Sequence, residues 1–305
     1  MAADGIVKSG FVSIIGLPNT GKSSFLNAVV CENLAITSKK PQTTRKNLKG
    51  IYNDDNSQIV FVDTPGIHNV KNKLDDYMDK SINKSIDSID LILVMIDIVT
   101  FQYDNYEKIN AILNKSKTKK VLVVNKCDLV DNIDDEVKNN VISKFDKNIK
   151  FDSIFFISAL KKKNISAVID EIKNLLPEGV RYYNNDDLTD ESVKQLVADM
   201  IRQQCLYKLE KEIPHGIAII IDSFKKSKSK CMNIDATIIC EKESHKGIVI
   251  GKSGSMIKNI GTGARIAIEK FLGLKVNLKL NVIVKNNWRD EKTLLVNYGY
   301  DWKLL

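Results

Sequence analysis

Eight residues, Gly16-Leu17-Pro18-Asn19-Thr20-Gly21-Lys22-Ser23, have the types and spacing of a loop that wraps phosphate. Glycines let the main chain close around an anion and aim N–H groups at it. Lys22 is then set to reach the β- and γ-phosphates of a nucleotide, the Ser23 hydroxyl to bind Mg2+, and Pro18, Asn19, Thr20, Gly21 and Ser24 to complete the phosphate contacts. Asp63-Thr64-Pro65-Gly66 adds a carboxylate that can hold Mg2+ through water and a Gly66 N–H that can approach the γ-phosphate.

Nothing in those stretches distinguishes adenine from guanine. Asn125-Lys126-Cys127-Asp128 does, because the Asp128 carboxylate can accept from the N1–H and 2-amino groups that guanine has and adenine lacks. A site built on such a pair rejects the wrong base by roughly 10⁴, since its own polar groups would be left unpaired. Asn125 is expected to brace the loop and the Lys126 stem to cover the base. Ser158-Ala159 is expected to supply a main-chain N–H for the guanine carbonyl oxygen, with Leu160 beside it among the GTP contacts. Lys22 and Gly66 are candidate catalytic residues, and Ser23 and Asp63 candidate Mg2+ ligands.

The elements that must position these residues are legible as an alternation. Apolar runs Phe11–Ile15, Ile59–Val62, Leu91–Ile96, Val121–Val124 and Ile154–Ile157 read as strands. Helical patterns lie between them, at roughly Lys22–Val30, Leu74–Ile86, Tyr106–Leu113, Asp134–Phe145 and Ile165–Leu176. That order predicts an α/β domain over residues 1–177, mostly parallel in its sheet with helices on both faces. Pro177 and Gly179 break the pattern, and the polar stretch 178–190 reads as a linker. Residues 191–305 change to α+β order: a helix over about 191–212, strands Gly216–Ser223 and Met232–Glu241, a glycine turn, a helix through Phe271 and a strand Val276–Val284. Lys225–Lys230 reads as a hairpin loop with solvated charge. At roughly 150 residues per domain, two domains are what 305 residues should hold.

Charge separates the halves. Residues 181–305 carry 21 Lys and Arg against 15 Asp and Glu, which leaves +6 of the +8 total there, and Ile221–Arg289 alone carries 14 against 5. Such a surface suits phosphate neutralisation. Gly251-Lys252-Ser253-Gly254 lies within it, behind Gly247–Ile250, which reads as a strand, and before a helix from about Ser255. The longest apolar run, Leu91–Ile96, suits a buried strand and not a bilayer span. Residues 1–10 carry no secretory pattern, and the five cysteines are odd in number with no Cys-x-x-Cys pair, so reduced thiols and a cytosolic setting are expected.

The nucleotide motifs, in this order, resemble the TRAFAC class of GTPases over about residues 8–177. Pro41-Gln42-Thr43-Thr44-Arg45 resembles the switch I segment of the Era family, whose threonine closes over Mg2+ and the γ-phosphate; Thr44 aligns with it and Thr43 is the neighbouring alternative. Gly251–Gly254 with Lys246–Ile250, Ile260-Gly261, Ala264-Arg265 and Asn287–Asp290 resembles that family's KH domain, of type II, whose GxxG loop clamps a nucleic-acid backbone. The resemblance implies RNA contacts by Ile250, Gly251, Lys252, Ser253, Gly254, Met256, Lys258 and Arg265, although for Ile250 and Met256 a core position fits equally well. It further implies a monomeric, GTP-gated factor of bacterial ribosome assembly that binds the 3′ end of 16S rRNA in the 30S subunit and contacts the inner membrane face peripherally. The alternatives are a mainly membrane-associated or cell-cycle role, a P-loop kinase acting on an acidic metabolite, and a module that uses nucleotide only structurally. Ile67 stands where Ras-like enzymes place a water-orienting Gln, and in related enzymes with an apolar residue there the loop asparagine, here Asn19, holds K+.

Overall fold

A computed structural model of the chain describes residues 6–227 and 230–305. It divides into two compact units, Met1–Asn69 with Met78–Asp190, and Val70–Tyr77 with Glu191–Leu305. Each unit has its own core.

The first half of the chain runs β1 (Val7–Ile15), α1 (Lys22–Val30), β2 (Leu48–Asp54), β3 (Ser57–Asp63), α2 (Lys73–Lys84, of which only the part from Met78 belongs to the first unit), β4 (Leu91–Asp97), α3 (Glu107–Lys115), β5 (Lys119–Asn125), α4 (Asp135–Ile142), β6 (Ser153–Phe156), α5 (Ile165–Leu175) and the short β7 (Glu178–Gly179). The sheet order is β2-β3-β1-β4-β5-β6, with β7 antiparallel against β1. Only β2 and β7 run against the parallel direction. Along β4, Ile92, Val94 and Ile96 enter a core with Ile109 and Leu113 of α3 and Val141 of α4. The alternate residues Leu91, Leu93 and Met95 are equally buried, so both faces of the strand are covered, which is why it reads as an unbroken apolar run. Each such side chain contributes about 1.5–3 kcal/mol on burial. The carboxyl ends of four parallel strands lead into the chemical motifs: β1 into Gly16, β3 into Asp63, β5 into Asn125 and β6 into Ser158.

The sequence missed β2. It is an edge strand of mixed polarity, Leu-Lys-Gly-Ile-Tyr-Asn-Asp, held by its antiparallel register with β3. The reading of 178–190 as a linker also needs correction, because this stretch groups with the first unit as a strap. Ile51 N–H donates to Leu188 O at 2.9 Å, Gln58 Oε1 accepts from the N–H groups of Tyr182 and Tyr183, and Arg181 donates to the main-chain carbonyls of Asp54, Asp55 and Ser57. Lys49 pairs with Asp190 at 2.6 Å. Its polar residues are thus committed to an edge strand whose N–H and C=O groups would otherwise be open.

The second unit holds α6 (Val193–Lys208), β8 (Ala218–Lys226), β9 (Met232–Cys240), α7 (Glu243–Ile250), α8 (Ser255–Leu272), β10 (Val276–Val284) and α9 (Lys292–Asn297). Its sheet order is β10-β9-β8, with β10 parallel and β8 antiparallel to β9. Val197 and Ile201 of α6 and Ala264 and Ile268 of α8 pack on Ile234 and Ala236 of β9. Trp288 is fully buried and donates from Nε1 to Gly216 O at 3.0 Å, while Arg289 meets Glu241 with two bonds of 2.9 and 2.7 Å. Asn287–Asp290 therefore closes the fold. The run Gly247–Ile250, expected as a strand, is the end of helix α7. Its β-branched residues fit a strand, but only Val249 is buried, at one position per turn of a helix. Of the Lys225–Lys230 loop, residues 228–229 lie outside the described residues, as do residues 1–5 of the N-terminal segment. Among the described residues no helix is long and apolar enough to cross a membrane.

Candidate nucleotide site and nucleic-acid face

Gly16 leaves β1 so close to β4 that a Cβ there would sit 2.2 Å from Met95 O. Gly21 has φ +98°, and a Cβ on it would meet Asn125 Nδ2 at 2.1 Å, so only glycine fits both ends of the loop. Asn19 adopts φ +64° and donates from Nδ2 to Lys39 O at 2.9 Å. Thr20 Oγ1 donates to Leu17 O, and Lys22 Nζ donates to Gly16 O and Leu17 O at 3.1 and 2.9 Å. Burial lowers the Lys22 ammonium to about 8, against the opposing pull of Asp63. Helix α1 starts at Lys22 with no side-chain cap and no acidic residue in its first turn, so its amide dipoles are open to an anion. Pro18 sits against Gly66, and Ser24 is half-buried on α1.

Three oxygens converge beside this loop. Ser23 Oγ donates to Asp63 Oδ2 at 2.6 Å and lies 2.9 Å from Thr44 Oγ1, which is 3.3 Å from the same carboxylate oxygen. Thr43 turns the other way and donates to Lys40 O at 2.7 Å. Asp63 is fully buried, and its Oδ1 has no hydrogen-bond partner among the described residues. Burial pushes the Asp63 carboxyl up to about 6, with Lys22, Ser23 and Thr44 pulling it down. Thr64 Oγ1 donates to Ile14 O at 2.7 Å, anchoring the turn that carries Pro65 and Gly66. A Cβ on Gly66 would lie 2.7 Å from Pro18 Cα. Ile67 points into the core, 3% exposed, while its N–H donates to Gly16 O at 3.1 Å.

At the base end, Asn125 is buried and ties two loops together. Its Nδ2 donates to Thr20 O and its Oδ1 accepts from Ala159 N–H, both at 2.9 Å. Lys126, at φ +67°, pairs with the buried Asp97 at 2.5 Å, which fixes the lysine stem. Asp128 is exposed, with no hydrogen-bond partner among the described residues. Both amides of Ser158-Ala159 are engaged within the protein, Ser158 N–H donating to Lys163 O and Ala159 N–H to Asn125 Oδ1, while Leu160 beside them is exposed. Sequence reasoning missed Asp97, whose signal was its place directly after the apolar run Leu91–Ile96, matching Asp63 directly after Ile59–Val62. It also missed the partners of His68: Nδ1 lies 2.8 Å from Gly66 O and Nε2 3.3 Å from Gln42 Nε2.

In the second unit, α7 ends at Gly251 (φ +75°), one tight turn carries Lys252 and Ser253, and α8 starts after Gly254 (φ +77°). Lys252, Ser253 and Lys258 are exposed. Of the other expected RNA contacts, Ile250 is half-buried and Met256 packs against the cluster of Cys205, Val249 and Ile260. Arg265 pairs with Glu269 at 2.8 Å. The two glycines differ: a Cβ on Gly251 would strike Met256 Cβ at 2.7 Å, whereas one on Gly254 would meet open space.

Comparison with known proteins agrees with this division. Residues 11–126 match the profile of a 50S ribosome-binding GTPase, and residues 212–289 that of a KH domain. The chain is 46% identical to GTPase Era of Clostridium kluyveri, over 97% of this chain and all of that one. It is 44% identical to GTPase Era of Clostridioides difficile, over 97% and 99%. A solved structure of Era in complex with MgGDPNP and nucleotides 1506–1542 of 16S ribosomal RNA superposes with a TM-score of 0.92 at 33% identity, covering 96% of this chain and 99% of that one. An Aquifex aeolicus Era variant bound to GDP.AlF4- gives 0.89 at 31%, covering 96% and 99%. Agreement at this level runs through both units and nearly the full length of each relative, so the chain belongs to the Era family of GTPases.

Proposed function

We propose that this GTPase works with Mg2+ and that its nucleotide state governs binding of the 3′ end of 16S rRNA during small-subunit assembly. The convergence of Ser23, Thr44 and the buried Asp63 carries the enzymatic part. Two hydroxyls and a carboxylate with an unpartnered Oδ1 are a donor set of hard oxygens, which fits Mg2+. That ion, when bound, neutralises charge on the β- and γ-phosphates. Lys22 exchanges its bonds to Gly16 O and Leu17 O for phosphate oxygens, and the Gly66 amide faces the γ-phosphate while water attacks in line. Thr44, with its hydroxyl on Ser23 and Asp63, is the switch I ligand in this reading, and Thr43 stays within its loop. With Asn19 Nδ2 committed to Lys39 O, its Oδ1 is the atom that can ligate K+ beside the phosphates. Hydrolysis in matched KCl and NaCl buffers should be faster in KCl, and Asn19→Ala should abolish the difference; equal rates in both salts would dismiss K+.

For the RNA part, the support is the exposed turn Lys252–Gly254 between two helices, and the rRNA held by the solved Era complex. Gly254→Asp places a charge in the path of a phosphate backbone where its Cβ meets no protein atom, and because φ +77° strains any side chain there, Lys252→Glu on the same exposed turn is the unstrained companion test. RNA affinity should fall at least about tenfold, or ~1.4 kcal/mol, with RNA-free GTP hydrolysis unchanged. Affinity within twofold of wild type would make the turn structural. This reading places a monomer in the cytoplasm. Crosslinking and sequencing of RNA bound to the GTP form separates it from a mainly membrane-associated role.

A further inference from the structure

We propose that His68, held by Gln42, is a positioning residue for GTP hydrolysis, clasping switch I to the Gly66–Ile67 peptide. That peptide is gripped at both ends: Ile67 N–H donates to Gly16 O at 3.1 Å, and Gly66 O lies 2.8 Å from His68 Nδ1. A carbonyl oxygen can only accept, so Nδ1 carries the proton. In the neutral ring Nε2 is then an acceptor, and the atom facing it at 3.3 Å is Gln42 Nε2, a donor. The three groups form one directional chain, Gln42 to His68 to Gly66.

Two further observations give the chain a purpose. Gln42 sits at φ +57°, a conformation that costs a non-glycine residue energy and persists only where the surroundings fix it. It lies two residues before Thr44, so the clasp forms in the same switch I geometry that brings Thr44 to Ser23 and Asp63. From α3, Lys108 Nζ donates to His68 O at 2.7 Å and fixes the residue from behind. Because Ile67 is turned into the core, the segment offers the γ-phosphate main-chain groups, and their orientation is what this chain of bonds sets. Fixing a reacting geometry acts on rate more than on ground-state binding. The inference rests on the reading that the Gly66 amide meets the γ-phosphate.

The test uses the full chain with Mg2+, measuring single-turnover GTP hydrolysis and GDP affinity for Gln42→Ala, His68→Ala, the double variant and His68→Asn. Each single alanine should slow hydrolysis about tenfold with GDP affinity within about twofold, and the double should be no slower than the slower single, because one chain is broken once. His68→Asn keeps a donor near Gly66 O but loses Gln42, so it should match Gln42→Ala. Rates that multiply in the double variant, wild-type hydrolysis by His68→Ala, or a loss carried by GDP affinity would overturn the clasp. Should His68→Ala fail to fold, Gln42→Ala against His68→Asn decides alone. Gly66→Ala, whose Cβ would force the peptide away from Pro18 Cα, separates the underlying reading: unimpaired hydrolysis there shows that the placement of the Gly66 amide is not needed, whereas slow hydrolysis there with fast clasp variants removes only the clasp.

Discussion

Replacing Asn125 by alanine should damage two loops at once. The side chain is 2% exposed and makes one bond to Thr20 O in the phosphate loop and one from Ala159 N–H in the base loop. Removing it orphans a buried carbonyl and a buried amide at about 1–3 kcal/mol each, roughly 2–6 kcal/mol in all. Part appears in the stability of the empty first unit, about 2 kcal/mol, because both loops are joined by this side chain without nucleotide. The rest appears in affinity, since binding must then order the loops itself; GDP should bind about 10- to 100-fold more weakly, ~1.4–2.7 kcal/mol. Both tryptophans, Trp288 and Trp302, lie in the second unit, so tryptophan fluorescence supplies an internal control. In urea unfolding the tryptophan transition should stay in place while the far-ultraviolet circular dichroism of the first unit shifts to lower denaturant. Calorimetry with GDP measures the affinity. An Asn125→Ala chain that unfolds within about 0.5 kcal/mol of wild type and binds GDP within twofold would refute the bracing role.

Asp128→Asn should lose GTP and favour xanthosine triphosphate, whose 2-carbonyl accepts from the new amide; equal affinity for the two nucleotides would show that Asp128 does not read the base. The first unit should also lose stability in acid through Asp54. Partial burial raises that carboxyl, but Lys173 at 2.5 Å, the Ser57 hydroxyl and Asn56 N–H outweigh it and hold it at about 2, below its ordinary 3.8. A depressed carboxylate contributes fully above its unfolded value and loses that contribution as pH falls through the folded one. The side chain is 31% exposed, so the contribution is discounted for solvent to about 1 kcal/mol. Lys173→Met should lower the urea midpoint at pH 7 and leave it nearly unchanged at pH 2, and an equal loss at both would assign the effect to packing.

What the sequence disclosed and what it hid follow from what each residue touches. The runs Leu91–Ile96 and Val121–Val124 announced themselves because strand stretches covered on both faces must be apolar. Strand β2 is an edge, free to carry Lys49, Tyr52 and Asn53, and its cover is the polar strap 178–190, whose hydrogen bonds to main-chain groups leave no periodicity. The residues proposed to meet the ligand stood out for a chemical reason: phosphate, Mg2+ and guanine each demand particular groups in a particular order along the sheet edge. Asp97, Gln42 and His68 stayed hidden because they hold other protein groups, and a main-chain carbonyl can be held by many side chains at many separations. Gly16 belongs to both kinds. Its place in the phosphate loop is a motif, but the reason no side chain fits there is Met95 O on the neighbouring strand, 2.2 Å from where a Cβ would be. A substitution at Gly16 therefore acts through β4 before any nucleotide arrives, and its damage should be present in the nucleotide-free protein.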